Sequence, residues 1–258
     1  MKLIIYLISF FLVISCSLTA QSTEINKTDA QGKKQGFWTK KYPGGTVQYE
    51  GTFRDDHPVG EFKRYYENKI LKSVLIYSVD GEEADATFYY PNGYISLTGK
   101  YIHQLKEGKW KFFSEINSGY LVSEEEYSKD LLNGTSVKYF LNGNIAERLT
   151  YVNGAKNGEC VQFYESGKNF LKTYYKNGVL DGSLEVWFEN GQPKFTGFYR
   201  NNIRDGKWVI HNEDGSLKYE VKYKDGVTSD NPMEAEAAAF MESLEKNKDN
   251  VVDPEKNR

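Results

Sequence analysis

Apolar and polar residues alternate along most of this chain, in short stretches that end at glycine-containing turns. The stretch from Ser183 to Phe188 reads Ser-Leu-Glu-Val-Trp-Phe, and a second stretch of the same kind runs from Lys194 to Arg200. Alternation with a period of two, rich in aromatic and β-branched residues, is typical of β-strands. The pattern therefore predicts pairs of strands joined by tight turns.

The strand pairs recur at a near-constant interval, which makes this chain a repeat protein. A glycine starts each repeat 24 residues after the last, except that the step from Gly108 to Gly134 is 26 residues and Ala84 replaces one glycine. An aromatic residue follows each start by seventeen residues, or nineteen in the longer repeat. These aromatic residues are Phe53, Tyr77, Tyr101, Tyr127, Tyr151, Tyr175, Tyr199 and Tyr223. A fixed short period indicates one supersecondary unit stacked on its neighbours.

Each repeat contains two turn signals. The first carries Asn142-Gly143 or an equivalent pair nine residues into the repeat, and the second carries pairs such as Asn153-Gly154. We expect both pairs to supply the positive φ angles of tight hairpin turns. Because short connections force neighbouring strands to run antiparallel, we expect an all-β fold. It is an elongated, twisted meander of about eight hairpins, or sixteen strands, which would extend about 75 Å if the sheet stayed open.

The pattern changes at both ends of the repeat domain, which we place at residues 36–228. Residues 229–246 carry apolar residues at helical spacing, namely Met233, Ala237, Phe240, Met241 and Leu244. They predict a short amphipathic helix that caps the open C-terminal end of the sheet, or alternatively binds a partner. Residues 247–258 read as a disordered tail, and residues 21–35 as a polar N-terminal linker.

The first twenty residues predict a signal peptide, since Lys2 precedes an apolar run of about twelve residues. Two processing sites compete. Cleavage after Ala20 would release a soluble secreted or periplasmic protein, whereas a lipobox ending at Cys16 would give a lipoprotein anchored in the outer membrane. Either route places the repeats outside the cytoplasm.

Charge and cysteine content exclude several classes of protein. The net charge is −3, with eight acidic residues against four basic ones after residue 228. No basic face suits nucleic acid, and no polybasic cluster suits an anionic membrane, so membrane contact would come only through a lipid on Cys16. Cys160 has no disulfide partner in the mature chain, and its position in the repeat predicts a small buried hydrophobic residue.

No catalytic, cofactor-binding or metal-binding residues can be assigned. His57, His103 and His211 occupy unrelated positions of separate repeats, and hydrolase or phosphate-loop spacings do not occur. The acidic run Glu124 to Glu126 is interpreted as a solvated strand flank. We therefore expect a protein that is not an enzyme and carries no cofactor.

A row of aromatic residues offers the candidate binding surface. It stands five residues after the repeat starts and comprises Tyr65, Tyr89, Phe113, Tyr139, Phe163 and Trp187, with a second aromatic residue following most of them. Adjacent residues of a strand point to opposite faces. One interpretation makes both rows structural, and the other makes one row a binding groove.

The unit of a glycine, an aromatic strand, Asn-Gly, a second aromatic strand and a further turn resembles the MORN repeat, in the variant common in bacterial exported proteins and grouped with the YwqK-type antitoxin family. The stretches 157–158, 181–191 and 205–208 carry the resemblance best, whereas Lys69, Ala84 and Asn212 depart from it. The family implies an interaction scaffold without catalytic residues.

The combined expectation is an exported, non-enzymatic scaffold that binds a protein partner and is antitoxin-like in role. The alternative is a module that binds an envelope glycan through the aromatic row. The oligomeric state is not indicated, although the N-terminal edge near residues 37–42 could pair with another subunit.

Overall fold

The computed structural model describes residues 24–228. The predicted signal peptide over 1–20, with Cys16, lies outside these described residues. The predicted C-terminal helix over 229–246 and the tail over 247–258 lie outside them as well.

Residues 24–228 form eighteen strands and no helix, and each strand pairs antiparallel with the next in one continuous sheet. The strands are β1 (Lys27–Thr28), β2 (Lys34–Lys41), β3 (Val47–Arg54), β4 (His57–Tyr65), β5 (Leu71–Tyr77), β6 (Glu83–Tyr89), β7 (Ile95–Ile102), β8 (Leu105–Phe113), β9 (Leu121–Ser128), β10 (Leu131–Tyr139), β11 (Ile145–Val152), β12 (Ala155–Phe163), β13 (Asn169–Lys176), β14 (Val179–Trp187), β15 (Pro193–Arg200), β16 (Ile203–His211), β17 (Leu217–Lys224) and β18 (Val227–Thr228). The all-β meander is confirmed, with sixteen long strands between two strands of two residues.

We number the repeats 1 to 8 from Gly36 to Gly206, with Ala84 starting repeat 3. One side of the sheet, the core face, carries the residues two and four places after each start together with those thirteen, fifteen and seventeen places after it. Its buried hydrophobic residues form two clusters, one around Trp110 in repeats 3 and 4 and one around Trp208 in repeats 6 to 8. The other side, the second face, carries positions one, three, five, fourteen and sixteen.

Facing residues on the core face complement each other in size. Gly99 faces the ring of Trp110 and Gly197 that of Trp208, so closely that an added Cβ would overlap the ring. Where the second residue of the pair is small, the first is larger, as in Leu149 opposite Cys160. Cys160 is 4% exposed, which confirms the prediction of a small buried residue. The pairs keep the core at nearly constant volume from repeat to repeat.

The first turn of each repeat differs from the predicted geometry. In Asn142-Gly143 only the glycine has positive φ, at 85°. Gly143 N donates to Phe140 O at 2.9 Å and Phe140 N to Asn144 O at 2.8 Å, which defines a three-residue loop with a G1 bulge. Asn142 instead accepts from Asn144 N and donates its side-chain amide to Glu165 O of the next repeat at 3.0 Å. The sequence thus correctly places Asn142 in the turn. Its role is to form side-chain hydrogen bonds within the turn and to the next repeat, and it does not supply a positive φ angle.

The second turns follow the prediction. In Asn153-Gly154 both residues have positive φ, at 49° and 82°, as a type I′ turn requires. Other turns reach this conformation without glycine, and Asp130 is an example with φ 67°. Its Oδ1 accepts from Lys106 N of the preceding turn at 2.6 Å. This hydrogen bond offsets the strain of a left-handed residue without glycine.

The two ends of the sheet are covered differently. At the N-terminal end, residues predicted as a linker include β1, which pairs with Lys34 and Gln35 of β2. Asn26 extends this cover by accepting from Thr39 N at 2.8 Å. At the C-terminal end, β18 pairs only with Tyr223 and Lys224 of β17. Short strands and side-chain caps of this kind limit edge-to-edge pairing at the N-terminal end.

Candidate functional site

The six residues of the aromatic row predicted as a binding surface all lie half-buried on the second face. They are Tyr65, Tyr89, Phe113, Tyr139, Phe163 and Trp187. The hydroxyl of Tyr65 donates to Glu50 Oε1 at 2.6 Å, and Glu50 stands on this face at position fourteen of the preceding repeat. Adjacent members of the row lie two strands apart, or about 9.6 Å. The repeat therefore presents one ring every second strand along the sheet.

Two tyrosines of the row hold their hydroxyl groups against carboxylates. Burial and then the hydrogen bond to Glu50 raise the pKa of Tyr65 to about 12. Burial and then the charge of Glu124 raise the pKa of Tyr139 as well. Both phenols stay protonated and act as donors across the physiological range. They offer hydrogen bonding and ring surface, without the lowered pKa of a phenolate nucleophile.

The tyrosines that stand six residues after a repeat start, next to the row, perform a separate, structural function. Tyr66 donates its hydroxyl to the carbonyl of Tyr89 at 2.8 Å, and Tyr164 donates to that of Trp187 at 2.7 Å. Tyr42 and Tyr90 make the same bond to the next repeat. Each bond joins the backbone of a row member to the preceding repeat. The sequence interpretation missed these bonds, although paired aromatic residues recurring every 24 residues were visible.

Charged residues of repeats 2 to 4 pair across strands on the second face. Lys109 and Lys111 reach Glu124 at 3.2 and 3.4 Å, and Lys100 pairs with Glu83. Burial raises the pKa of Glu124, but the two lysines outweigh it and the net pKa is lowered. Exposed pairs of this kind contribute little to stability, because water and salt screen them. They make this part of the face charged, balanced and well hydrated.

The interpretation of Glu124 to Glu126 as a solvated flank is wrong. The Glu124 side chain is 18% exposed in its ion pairs, and Glu126 Oε2 accepts from Thr135 N at 2.8 Å. Glu125 turns to the core face, where the hydroxyl of Tyr127 donates to Glu125 Oε2 at 2.6 Å. Strand alternation dictates this split, because consecutive residues cannot share one face.

The second face is less charged in the C-terminal half. Eight of its fifteen positions in repeats 2 to 4 are charged, against four of fifteen in repeats 5 to 7. On β12 to β15 this face carries Val161, Phe163, Tyr174, Trp187 and Phe198, which we call the apolar patch. Lys172 and Glu185 are directly paired across β13 and β14 between its members. Phe198 is 40% exposed, whereas Val161 is 8% exposed. Aromatic side chains that are partly exposed beside a buried residue are typical of a surface that can bind a partner.

Within residues 24–228, no group of three or more His, Cys, Asp and Glu residues could hold a metal ion. A shallow cleft of about 410 Å³ lies beside Asp130 and Tyr127. Asp130 Oδ1 in this cleft accepts a hydrogen bond from the backbone amide of Lys106, so the carboxylate stabilises the turn. Within the same range, no helix is long and apolar enough to cross a membrane.

Comparison with known proteins supports the repeat assignment. Four segments, residues 58–78, 132–153, 180–201 and 204–225, match the family model of the MORN repeat variant. Each matched segment spans the two strands of one repeat, as in β10 and β11. The resemblance is confirmed at this level, while the YwqK-type antitoxin grouping stays a prediction.

Two further comparisons add no functional information. No curated protein matches the chain. A crystal structure of a protein of unknown function from Bacteroides fragilis NCTC 9343 aligns at 11% identity, covering 76% of this chain and 96% of that chain. Its TM-score is 0.12, and a likeness this weak supports no argument about the fold.

Proposed function

We propose that this chain, with its MORN-variant repeats, is an exported and non-enzymatic scaffold that binds a protein partner through the second face. The apolar patch of Val161, Phe163, Tyr174, Trp187 and Phe198 carries the proposal. It occupies the least charged part of that face and holds two members of the aromatic row. Aromatic residues are enriched in the centres of protein interfaces, where charged residues are depleted.

Rigidity of the patch favours binding. The carbonyl of Trp187 accepts from the hydroxyl of Tyr164, and Phe163 precedes that tyrosine in β12. Phe198 and Ser183 are directly paired across β15 and β14, so the backbone beneath the rings is fixed on both sides. A surface ordered before binding loses less side-chain and backbone entropy when it binds. The rings can therefore contribute most of their contact area to affinity.

The surroundings of the patch suit a protein surface with charges of both signs. Lys172 pairs with Glu159 at 3.1 Å, and Lys207 pairs with Glu220 at 2.7 Å. These exposed ion pairs can be exchanged for ion pairs with a partner. They affect the association rate and the specificity more than the affinity. Holding and neutralising a protein toxin would be one form of this function, as the YwqK-type grouping suggests.

An envelope glycan is the competing ligand. Rings spaced about 9.6 Å apart along an open sheet could stack on sugar units. However, the tyrosines that would supply polar contacts, Tyr65 and Tyr139, already engage Glu50 and Glu124. Specific sugar binding needs convergent polar groups beside the rings. Beside the apolar patch, the polar groups also engage each other, as the hydroxyl of Tyr174 does with Glu159 at 3.2 Å, which favours the protein ligand.

Crosslinking in intact cells, with a tagged full-length chain, tests the proposal. Mass spectrometry would identify captured molecules and the mature N-terminus, which decides between cleavage after Ala20 and lipidation at Cys16. We expect one reproducible protein whose capture is lost in Trp187→Ala/Phe198→Ala. Capture should persist in the control Ile76→Ala, which removes a 57%-exposed residue from the charged part of the same face.

The opposite results would refute this function. Equal capture by the patch variant and the Ile76→Ala control would mean that the patch does not bind the partner. Recovery of polysaccharide without protein would replace the protein by a glycan. Circular dichroism melting curves of both variants would establish that each remains folded.

A further inference from the structure

The last two repeats are more buried on the core face than their position explains. Tyr199 and Tyr223 are each 5% exposed, whereas the equivalent aromatic residues of repeats 1 to 6 are all half-buried. Val221 is 4% exposed although it belongs to β17, the last long strand. Among the described residues, only the two-residue β18 pairs with the outer side of β17, and it reaches Tyr223 and Lys224 alone.

The opposite end of the sheet provides a comparison. Trp38 and Phe53 stand there at positions two and seventeen of repeat 1, and both are half-buried. Strand β1 covers that end, and Trp38 Nε1 donates a hydrogen bond to Lys27 O of β1 at 3.1 Å. The C-terminal end is thus more buried than the N-terminal end, although β18 covers as few residues as β1. A further segment of chain is needed to cover it.

We propose that residues 229–246 pack their apolar side against the core face of repeats 7 and 8. Chain connectivity favours this occupant, because these residues directly follow β18 beside Tyr223. Their apolar residues recur at helical spacing from Met233 to Leu244, and a helix of these eighteen residues would be about 27 Å long. The four strands of repeats 7 and 8 together extend about 19 Å across the sheet. The predicted helix therefore has the length to cover Trp208, Val221 and Tyr223.

Charge also favours this occupant. Residues 229–246 contain five acidic residues and one basic residue. On the core face itself, the guanidinium of Arg204 lies over the rings of Trp208 and Tyr223 at 5.5 Å. Opposite charges beside an apolar contact orient the segment. A cap placed here would also shield the outer edge of β17, where β18 pairs with Tyr223 and Lys224 alone among the described residues.

The test compares two full-length variants that add the same charge. Phe240→Asp places a carboxylate on the predicted apolar side, while Ala239→Asp places it on the opposite side of the same helical turn. Hydrogen exchange of β17 amides is the readout. We expect exchange of residues 217–223 to accelerate at least tenfold in Phe240→Asp and to stay unchanged in Ala239→Asp. Equal rates in both variants would overturn the proposal.

A second measurement maps the contact without disturbing it. A photoreactive benzophenone side chain in place of Phe240 keeps the aromatic character of the residue. Irradiation should crosslink it to residues 195–223 of the same chain, as identified by mass spectrometry. Crosslinks to repeats 1 to 4 or to a second chain would refute the assignment. So would the absence of crosslinks in a folded protein.

Discussion

The size complementarity of Gly99 and Trp110 makes a quantitative prediction about the core face. A Cβ on Gly99 would lie 2.6 Å from Cε3 of Trp110 and closer still to two other ring atoms. Because Gly99 does not have a positive φ, the penalty for a side chain there is steric and does not involve the backbone conformation. Trp110 is fully buried and has no room to move away. Overpacking of this kind costs about 1–3 kcal/mol for one methyl group, and more for a larger side chain.

A double-mutant cycle isolates the interaction. Trp110→Ala alone should cost about 3–5 kcal/mol, the usual loss for a buried tryptophan. Gly99→Leu alone should be at least as harmful. Together they recreate the pair formed by Leu75 and Ala86, where Ala86 is 4% exposed. We therefore expect the double variant to be less destabilised than the sum of the two single variants, with a favourable coupling of about 2–3 kcal/mol.

Urea unfolding followed by circular dichroism measures these free energies without relying on the tryptophan that is removed. Gly44→Ala is the matched control, since Gly44 has open space around its Cα and no positive φ. Its free energy of unfolding should change by less than about 0.5 kcal/mol. Strictly additive effects of Gly99→Leu and Trp110→Ala would refute the volume argument. So would a Gly99→Ala variant as stable as the control.

Three further predictions concern a turn, a hydrogen bond and a titration. Lys69 has φ 71° at a position that is glycine in most repeats, so Lys69→Gly should raise the free energy of unfolding by up to about 1 kcal/mol in thermal melts; a decrease would contradict the strain argument. Tyr66→Phe removes the donor to Tyr89 O and should lower that free energy by about 1 kcal/mol, and an unchanged melting curve would show that water replaces the bond. Folding raises the pKa of Tyr65 from 10.0 to about 12. The contribution of Tyr65 to the free energy of unfolding is therefore complete below pH 10 and is lost between pH 10 and 12. Tyr65→Phe should remove one phenol from ultraviolet titration in that range, and a phenol lost near pH 10 instead would mean that Glu50 does not hold it.

Much of the fold was predictable because the repeat is encoded locally. The start glycines, the Asn153-Gly154 type of turn and the alternating strands each specify structure within a few residues. The error at Asn142 has a physical cause. An Asn-Gly pair suits a type I′ turn, but a three-residue loop lets the Asn142 amide bridge to Glu165 O, 23 residues away. A bond to the next repeat cannot be read from the turn itself.

The candidate site was predictable in part. Alternation placed Tyr65 and Tyr66 on opposite faces, and both turn out to be half-buried. Which of the two would be structural depended on the neighbouring repeat, because the hydroxyl of Tyr66 needs the carbonyl of Tyr89 as its acceptor. The apolar patch was equally hidden, since it combines five residues from four strands. Its sequence signal is the drop in charged residues after repeat 4.

By itself, the sequence determined the period, the order of the hairpins and the antiparallel pairing of each strand with the next. These properties depend on backbone conformation at turns and on a period of two in side-chain direction, which are local effects. Only the tertiary structure decided that Gly99 accommodates Trp110, that Glu125 enters the core face, and that Val221 near the end of the sheet is buried. Those outcomes depend on volume, hydrogen bonding and burial shared between residues of different repeats, which local patterns do not specify.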